Sequence, residues 1–95
     1  MLKITVVTVD TTYKGASAEI IESQITKPLE DSLAGIEGVD VLSSISRQEN
    51  SQITVRFKLE RNPDSAAADV RDRVARVRNK LPQSIDEPVI AKVEA

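Results

Sequence analysis

The sequence predicts an α+β domain of order β-α-β-β-α-β, with four antiparallel strands in spatial order 4-1-3-2 and two helices on one face of the sheet. Three observations lead there. Ile53, Val55, Phe57 and Leu59 alternate with Thr54, Arg56, Lys58 and Glu60, the period-2 pattern of a strand with one buried face. Ile21, Ile25, Leu29 and Leu33 recur at four-residue spacing as one apolar helical stripe. A second stripe, Ala66, Val70, Val74, Val77 and Leu81, follows later. Two similar half-units of this kind make the ferredoxin-like split βαβ arrangement, and right-handed crossovers put both helices on the same side.

The elements follow in order. Residues 4–9 are β-branched and read as the first strand, although adjacent Val6 and Val7 leave its buried phase open. Ser17 is an N-cap for the first helix, and Gly35 is expected to end it in a left-handed conformation. Pro28 removes the bond to the Gln24 carbonyl, so a bend rather than a stop is expected there. Residues 40–47 form a weaker second strand through Val41 and Ile45, and Gln48–Gln52 supplies a polar hairpin. Asn62 caps the second helix, with Pro63 at its first position and Asp64 in its first turn; Arg78 and Lys80 suit its negative end. Pro82–Pro88 is the last loop, and Pro88 opens a short fourth strand ending at Val93.

Composition narrows the function classes. Ninety-five residues suit one domain, and 40% apolar with 29% charged residues describe an ordinary soluble globule. A net charge of −2 gives no broad attraction to nucleic acid or anionic lipid. No apolar run approaches a membrane span, and residues 1–9 lack a signal-peptide core. Without cysteine or histidine the chain has neither thiolate metal ligands nor the commonest general base. The acidic pairs Glu30–Asp31 and Asp86–Glu87 are adjacent residues that point apart, and Gly15, Gly35 and Gly38 are too scattered for a phosphate loop. No enzyme, cofactor or metal site is expected. RNA stacking on the sheet is disfavoured too, since Phe57 lies on the helix-facing phase and Tyr13 in a loop.

The second helix carries one feature beyond amphipathicity. At 100° per residue, Ala68, Asp72, Ala75 and Asn79 fall together opposite the core stripe, with Arg71 and Arg78 on one flank and Arg76 and Lys80 on the other. A face with nothing to touch usually carries long charged side chains, whereas these are small. Small side chains allow close approach of another helix, although alanine is also a good exposed helix former.

The chain resembles a known family through Tyr13-Lys-Gly-Ala-Ser-Ala-Glu19, Ile25-Thr-Lys-Pro-Leu-Glu30 and Leu33-Ala-Gly-Ile-Glu-Gly-Val39. The likeness continues through Ser43–Arg47, Ile53–Phe57, Asp69–Arg71, Arg78–Pro82 and Glu87–Ile90. In their order and spacing these segments resemble the first porter subdomain (the pore, or PN1, subdomain) of bacterial resistance-nodulation-division efflux transporters. The resemblance implies a ferredoxin-like fold over residues 1–95, a periplasmic location in an inner-membrane pump, and a non-catalytic role. It also implies that the second helix faces a threefold axis, with Ala68, Asp72, Ala75 and Asn79 toward the central pore and Arg71 and Arg78 beside them. The implied partners are other porter subdomains and two further protomers. Isolated, the domain is expected to be monomeric, because one helix strip buries far less than the roughly 1,000 Å² of a stable interface.

Two positions depart from the family, which commonly has proline where Lys14 stands and glutamate where Ile20 stands. Ile20 points about 100° from Ile21, off the core stripe, and is expected to be exposed. With the start near the first strand and the end at Ala95, these departures suggest an excised, edited subdomain. A stand-alone ferredoxin-like ligand-binding or regulatory domain, dimerising through strand two or four, is the alternative.

Overall fold

In the computed structural model, which describes residues 4–58 and 61–93, the strands are β1 (Val6–Thr12), β2 (Val39–Arg47), β3 (Asn50–Phe57) and β4 (Val89–Val93). They form one antiparallel sheet in the order β2-β3-β1-β4, the predicted arrangement read from its other edge. The open phase of β1 is resolved: Val7 and Val9 are fully buried and pair with Val55 and Ile53. With Phe57, these side chains form the sheet's contribution to a core closed by both helices. Leu59, expected to extend this set, lies outside the described residues.

The hairpin is tighter than expected. Only Gln48 and Glu49 turn, and Asn50, Ser51 and Gln52 belong to β3. The polar run misleads because Ser51 is fully buried, its hydroxyl 2.7 Å from that of Thr26. Glu49 has a positive φ of 66°, a conformation costly for a residue with a Cβ. Three contacts hold it there. Its carboxylate accepts from the Gly15 N–H at 2.8 Å, its carbonyl accepts from Tyr13 N–H, and its N–H donates to the Ala16 carbonyl, both at 2.9 Å. The hairpin tip thereby clamps the loop that leads into the first helix.

That first helix, α1, runs as α-helix over Ala18–Ile21 and Lys27–Leu33, joined by a π-turn over Glu22–Thr26. Ser17 caps it as expected, accepting from the Ile20 N–H at 3.2 Å. Ile21, Ile25, Leu29 and Leu33 are all fully buried, and Ile20 is exposed. The π-turn, rather than a simple bend, resolves the region before Pro28. The stripe needs it. From Ile21 to Leu33 is 12 residues, whereas three α-helical turns take about 10.8. A single i→i+5 turn, with the Lys27 N–H bonded to the Glu22 carbonyl, absorbs the surplus residue and keeps all four side chains on the sheet. In a continuous α-helix Ile21 would swing about 80° away from Leu29 and Glu22 would take its place.

The second helix, α2 (Pro63–Val77), starts at Asn62, whose side chain accepts from the Ser65 N–H at 3.0 Å, and ends in a 3₁₀ turn over Arg78–Lys80. Ala66, Val70, Val74 and Leu81 are buried and Val77 is half-buried. Ala67, Ile36 and Ile85 join the core outside the predicted stripes.

Gly35 does not take the left-handed conformation expected of it; the glycines at positive φ are Gly15 and Gly38. Residue 35 is instead a place of close approach. A Cβ there would stand 2.6 Å from Nη1 of Arg73.

Candidate subunit-contact face of the second helix

Packing of Ala66, Val70 and Val74 onto the sheet fixes the rotation of α2 and hence what it presents outward. Ala68, Asp72 and Ala75 are exposed on the outer face of the α-helical part. Asn79 is exposed too, but sits in the 3₁₀ turn, where the tighter winding breaks the 100° progression. Asp72 pairs with Arg76 one turn on, at 2.8 Å, with both side chains more than half exposed. Such a pair is worth a few tenths of a kcal/mol, about 0.3–0.5, so it orders the two side chains more than it stabilises the helix.

The two flanking arginines are unlike each other. Arg78 turns away to Glu87 in the last loop at 2.9 Å, so it ties α2 to the approach to β4. Arg71 is exposed and makes no hydrogen bond or ion pair among those described. Beside it, Lys92 donates to Asp64 at 2.5 Å. That hydrogen bond first, then the charge of Lys92 and, after a small opposing effect of burial, the charge of Arg71 hold the Asp64 carboxyl below its ordinary value of 3.8.

On the other flank, a cleft of about 220 Å³ opens between α2 and the loop after α1, lined among others by Glu37, Asp69, Asp72, Arg73 and Arg76. Most of these charges have partners within the domain. Asp69 binds Arg61, Asp72 binds Arg76, and Arg73 donates to the carbonyls of Ser32 and Gly35, both at 3.2 Å. Glu37 is exposed and has no such partner among the described residues.

Arg61 and Arg73 organise this side of the domain, and neither stands out from the sequence. Arg61 stacks over the Phe57 ring, 5.6 Å from its centroid, while binding Asp69. Both arginines sit among charged residues with no periodicity to set them apart. The small residue facing Arg73, Gly35, was the available signal.

The helix-free face of the sheet holds a second exposed group. Val41, Ile45, Val89 and Val93 are 41–63% exposed there. By register Val93 and Val41 flank the row through Val6 and Arg56, and Val89 and Ile45 flank the row through Asp10 and Gln52. The apolar residues expected to run through β2 are thus on its outer face, while Leu42, Ser44 and Ser46 face the helices. No group of three or more acidic residues able to hold a metal ion occurs among the described residues. No described helix is long and apolar enough to cross a membrane.

Comparison with known proteins places this geometry in context. A model of the AcrB/AcrD/AcrF family matches residues 1–95. An uncharacterized transporter of Haemophilus influenzae is 40% identical over 87 residues, 92% of this chain and 8% of the relative. Multidrug resistance protein MdtF of Escherichia coli is 30% identical over 86 residues, 90% of this chain and again 8% of the relative. The nickel and cobalt resistance protein CnrA of Cupriavidus metallidurans is 36% identical over 66 residues, 70% of this chain and 6% of the relative. The chain therefore spans less than a tenth of the length of these relatives.

Proposed function

This chain belongs to the AcrB/AcrD/AcrF family of resistance-nodulation-division transporters, which are not enzymes, and from that premise we propose that it is the pore (first porter) subdomain of an efflux pump. In this reading it is a periplasmic piece of an inner-membrane transporter and works by packing rather than chemistry. Its α2 faces a threefold axis shared with two further protomers, and other porter subdomains cover the rest of its surface. Relatives named for multidrug and for nickel and cobalt resistance support reading the cargo of the whole pump as a drug-like molecule or a metal ion.

The observation that carries this reading is the outward strip of α2. Ala68, Asp72 and Ala75 are exposed on a helix whose opposite face is fully committed to the core. Three Asp72 side chains near one axis repel, so the helices stand around a wet channel, with Arg76 offsetting part of the charge.

Replacing Ala75 with tryptophan tests the reading. The isolated domain should fold as before, because the site faces away from its core. In the full-length transporter the same change should impair trimer assembly or efflux. A bulky residue at position 75 that leaves both untouched would remove α2 from the axis.

A further inference from the structure

Three helices related by a threefold axis meet through unlike flanks, since a rotational ring is built from heterologous contacts. The two flanks of the α2 strip differ in charge and in shape. One carries Arg71, exposed and without a hydrogen-bond or ion-pair partner among the described residues. The other carries the cleft lined by Glu37 and Asp72, in which Glu37 likewise has no partner among the described residues. Resting on the pore-helix reading above, we propose that Arg71 of each copy reaches into the cleft of the next copy and binds Glu37, with Asp72 as its second acceptor.

Geometry and charge both favour this pairing. At 100° per residue Arg71 lies about 60° to one side of Ala68 and Asp72 about 40° to the other, so each points toward a different neighbour when the strip faces the axis. A guanidinium fits because its planar fork can serve two carboxylates, whereas an ammonium acts as a point charge. The other arginines of the two flanks are occupied, Arg73 by two carbonyls, Arg76 by Asp72 and Arg78 by Glu87. The contact repeats three times around the ring; Arg71 and Glu37 have no ion-pair partner among the described residues, and Asp72 is shared with Arg76.

Charge reversal in the full-length transporter tests the contact. Arg71→Glu or Glu37→Arg alone should weaken trimer association in detergent on the order of five-fold, the upper end for an exposed pair. The double variant should recover most of the loss. Effects that simply add, with no recovery, would overturn the contact. Ala75→Trp separates this outcome from failure of the pore reading. If Ala75→Trp weakens the trimer while the reversals add, the helix faces the axis but Arg71 does not meet Glu37. If Ala75→Trp and both reversals leave association unchanged, both readings fall. Arg71→Lys gives an arm that keeps the charge: it should lose part of the association, and full retention would count against a two-acceptor site.

Discussion

Arg73 holds its guanidinium against Gly35, Nη2 donating to the Gly35 carbonyl at 3.2 Å while Nη1 sits 2.6 Å from where a Cβ on residue 35 would stand. Nη1 also donates to the Ser32 carbonyl, and the Ser32 hydroxyl donates back to the Arg73 carbonyl at 3.1 Å. An arginine of α2 thus caps the C-terminal end of α1, where the helix dipole is negative and carbonyls lack intrahelical partners.

Gly35→Ala should therefore destabilise the domain through Arg73. The methyl displaces the end of a flexible side chain, so the loss is that of its capping bonds, about 1.5–3 kcal/mol for hydrogen bonds to a charged group. Reduced freedom of the unfolded chain returns about 0.4–1 kcal/mol. A net loss of about 1–2 kcal/mol in urea titration follows. In an Arg73→Ala background the same substitution should be neutral or stabilising, and an equal loss in both backgrounds would rule out the close approach as its cause.

Phe57 is 1% exposed and is the largest side chain in the core. Phe57→Ala should cost about 3–5 kcal/mol in denaturant titration, as for other large-to-small core changes. It also removes the platform for Arg61. A loss below about 1 kcal/mol would contradict burial of this face of β3.

The hydroxyls under the π-turn form a directed chain. Ser46 donates to Glu22 at 2.7 Å, so its oxygen must accept from Thr26 at 2.8 Å, and Thr26 in turn accepts from Ser51 at 2.7 Å. Thr26 and Ser51 are fully buried. Thr26→Val should cost about 1–3 kcal/mol because it strands the Ser51 hydroxyl away from water. Adding Ser51→Ala should cost less than that substitution does alone. Strict additivity would mean that the two hydroxyls do not depend on each other.

Most of the architecture was legible because periodicity reports burial directly. Ile53, Val55 and Phe57, both helical stripes, the Ser17 and Asn62 caps and the strand order all follow from residue type and spacing. What escaped was set by tertiary partners. Ser51 reads as a turn residue until Thr26 is placed above it, and Gly35 reads as a helix terminator until Arg73 is folded over it. The outward strip of Ala68, Asp72 and Ala75 was legible from helical spacing, whereas the cleft that Glu37 and Asp72 line together could not be assembled before the α1–β2 loop was placed.

Asp64 gives a pH dependence with a definite sign. Its carboxyl is held below 3.8 by Lys92 and, less, by Arg71. A depressed folded-state value means that the charged form is favoured by folding, so the contribution is fully present above 3.8 and fades as pH falls through the folded value. Asp64→Asn should lower the urea midpoint at neutral pH and have no effect in acid well below 3.8. A difference that persists in acid would mean the asparagine disturbs the helix start rather than removing a charge.

Pro28 and the π-turn are neighbours, and it is natural to make one the cause of the other. Pro28 lacks the N–H that would bond the Gln24 carbonyl, and its ring crowds that carbonyl in a regular α-helix. The apolar stripe makes a separate demand. Its 12 residues exceed three α-turns, and undoing the π-turn would carry Ile21 out of the core and bring Glu22 in. Exposing a fully buried isoleucine costs about 1.5–3 kcal/mol, and an unpaired buried carboxylate costs more. Against that, regular α geometry offers one recovered backbone bond, worth about 0.5–1.5 kcal/mol. Pro28→Ala should therefore leave the π-turn in place, with the Lys27 amide still bonded to the Glu22 carbonyl and protected from hydrogen exchange. Moving the stripe should remove it. Deleting Gln24, an exposed residue within the turn, in the Pro28→Ala background should give a continuous α-helix with Ile21 still buried and the domain folded. If Pro28→Ala alone restores α geometry, the proline sets the turn and the spacing of the stripe is a consequence.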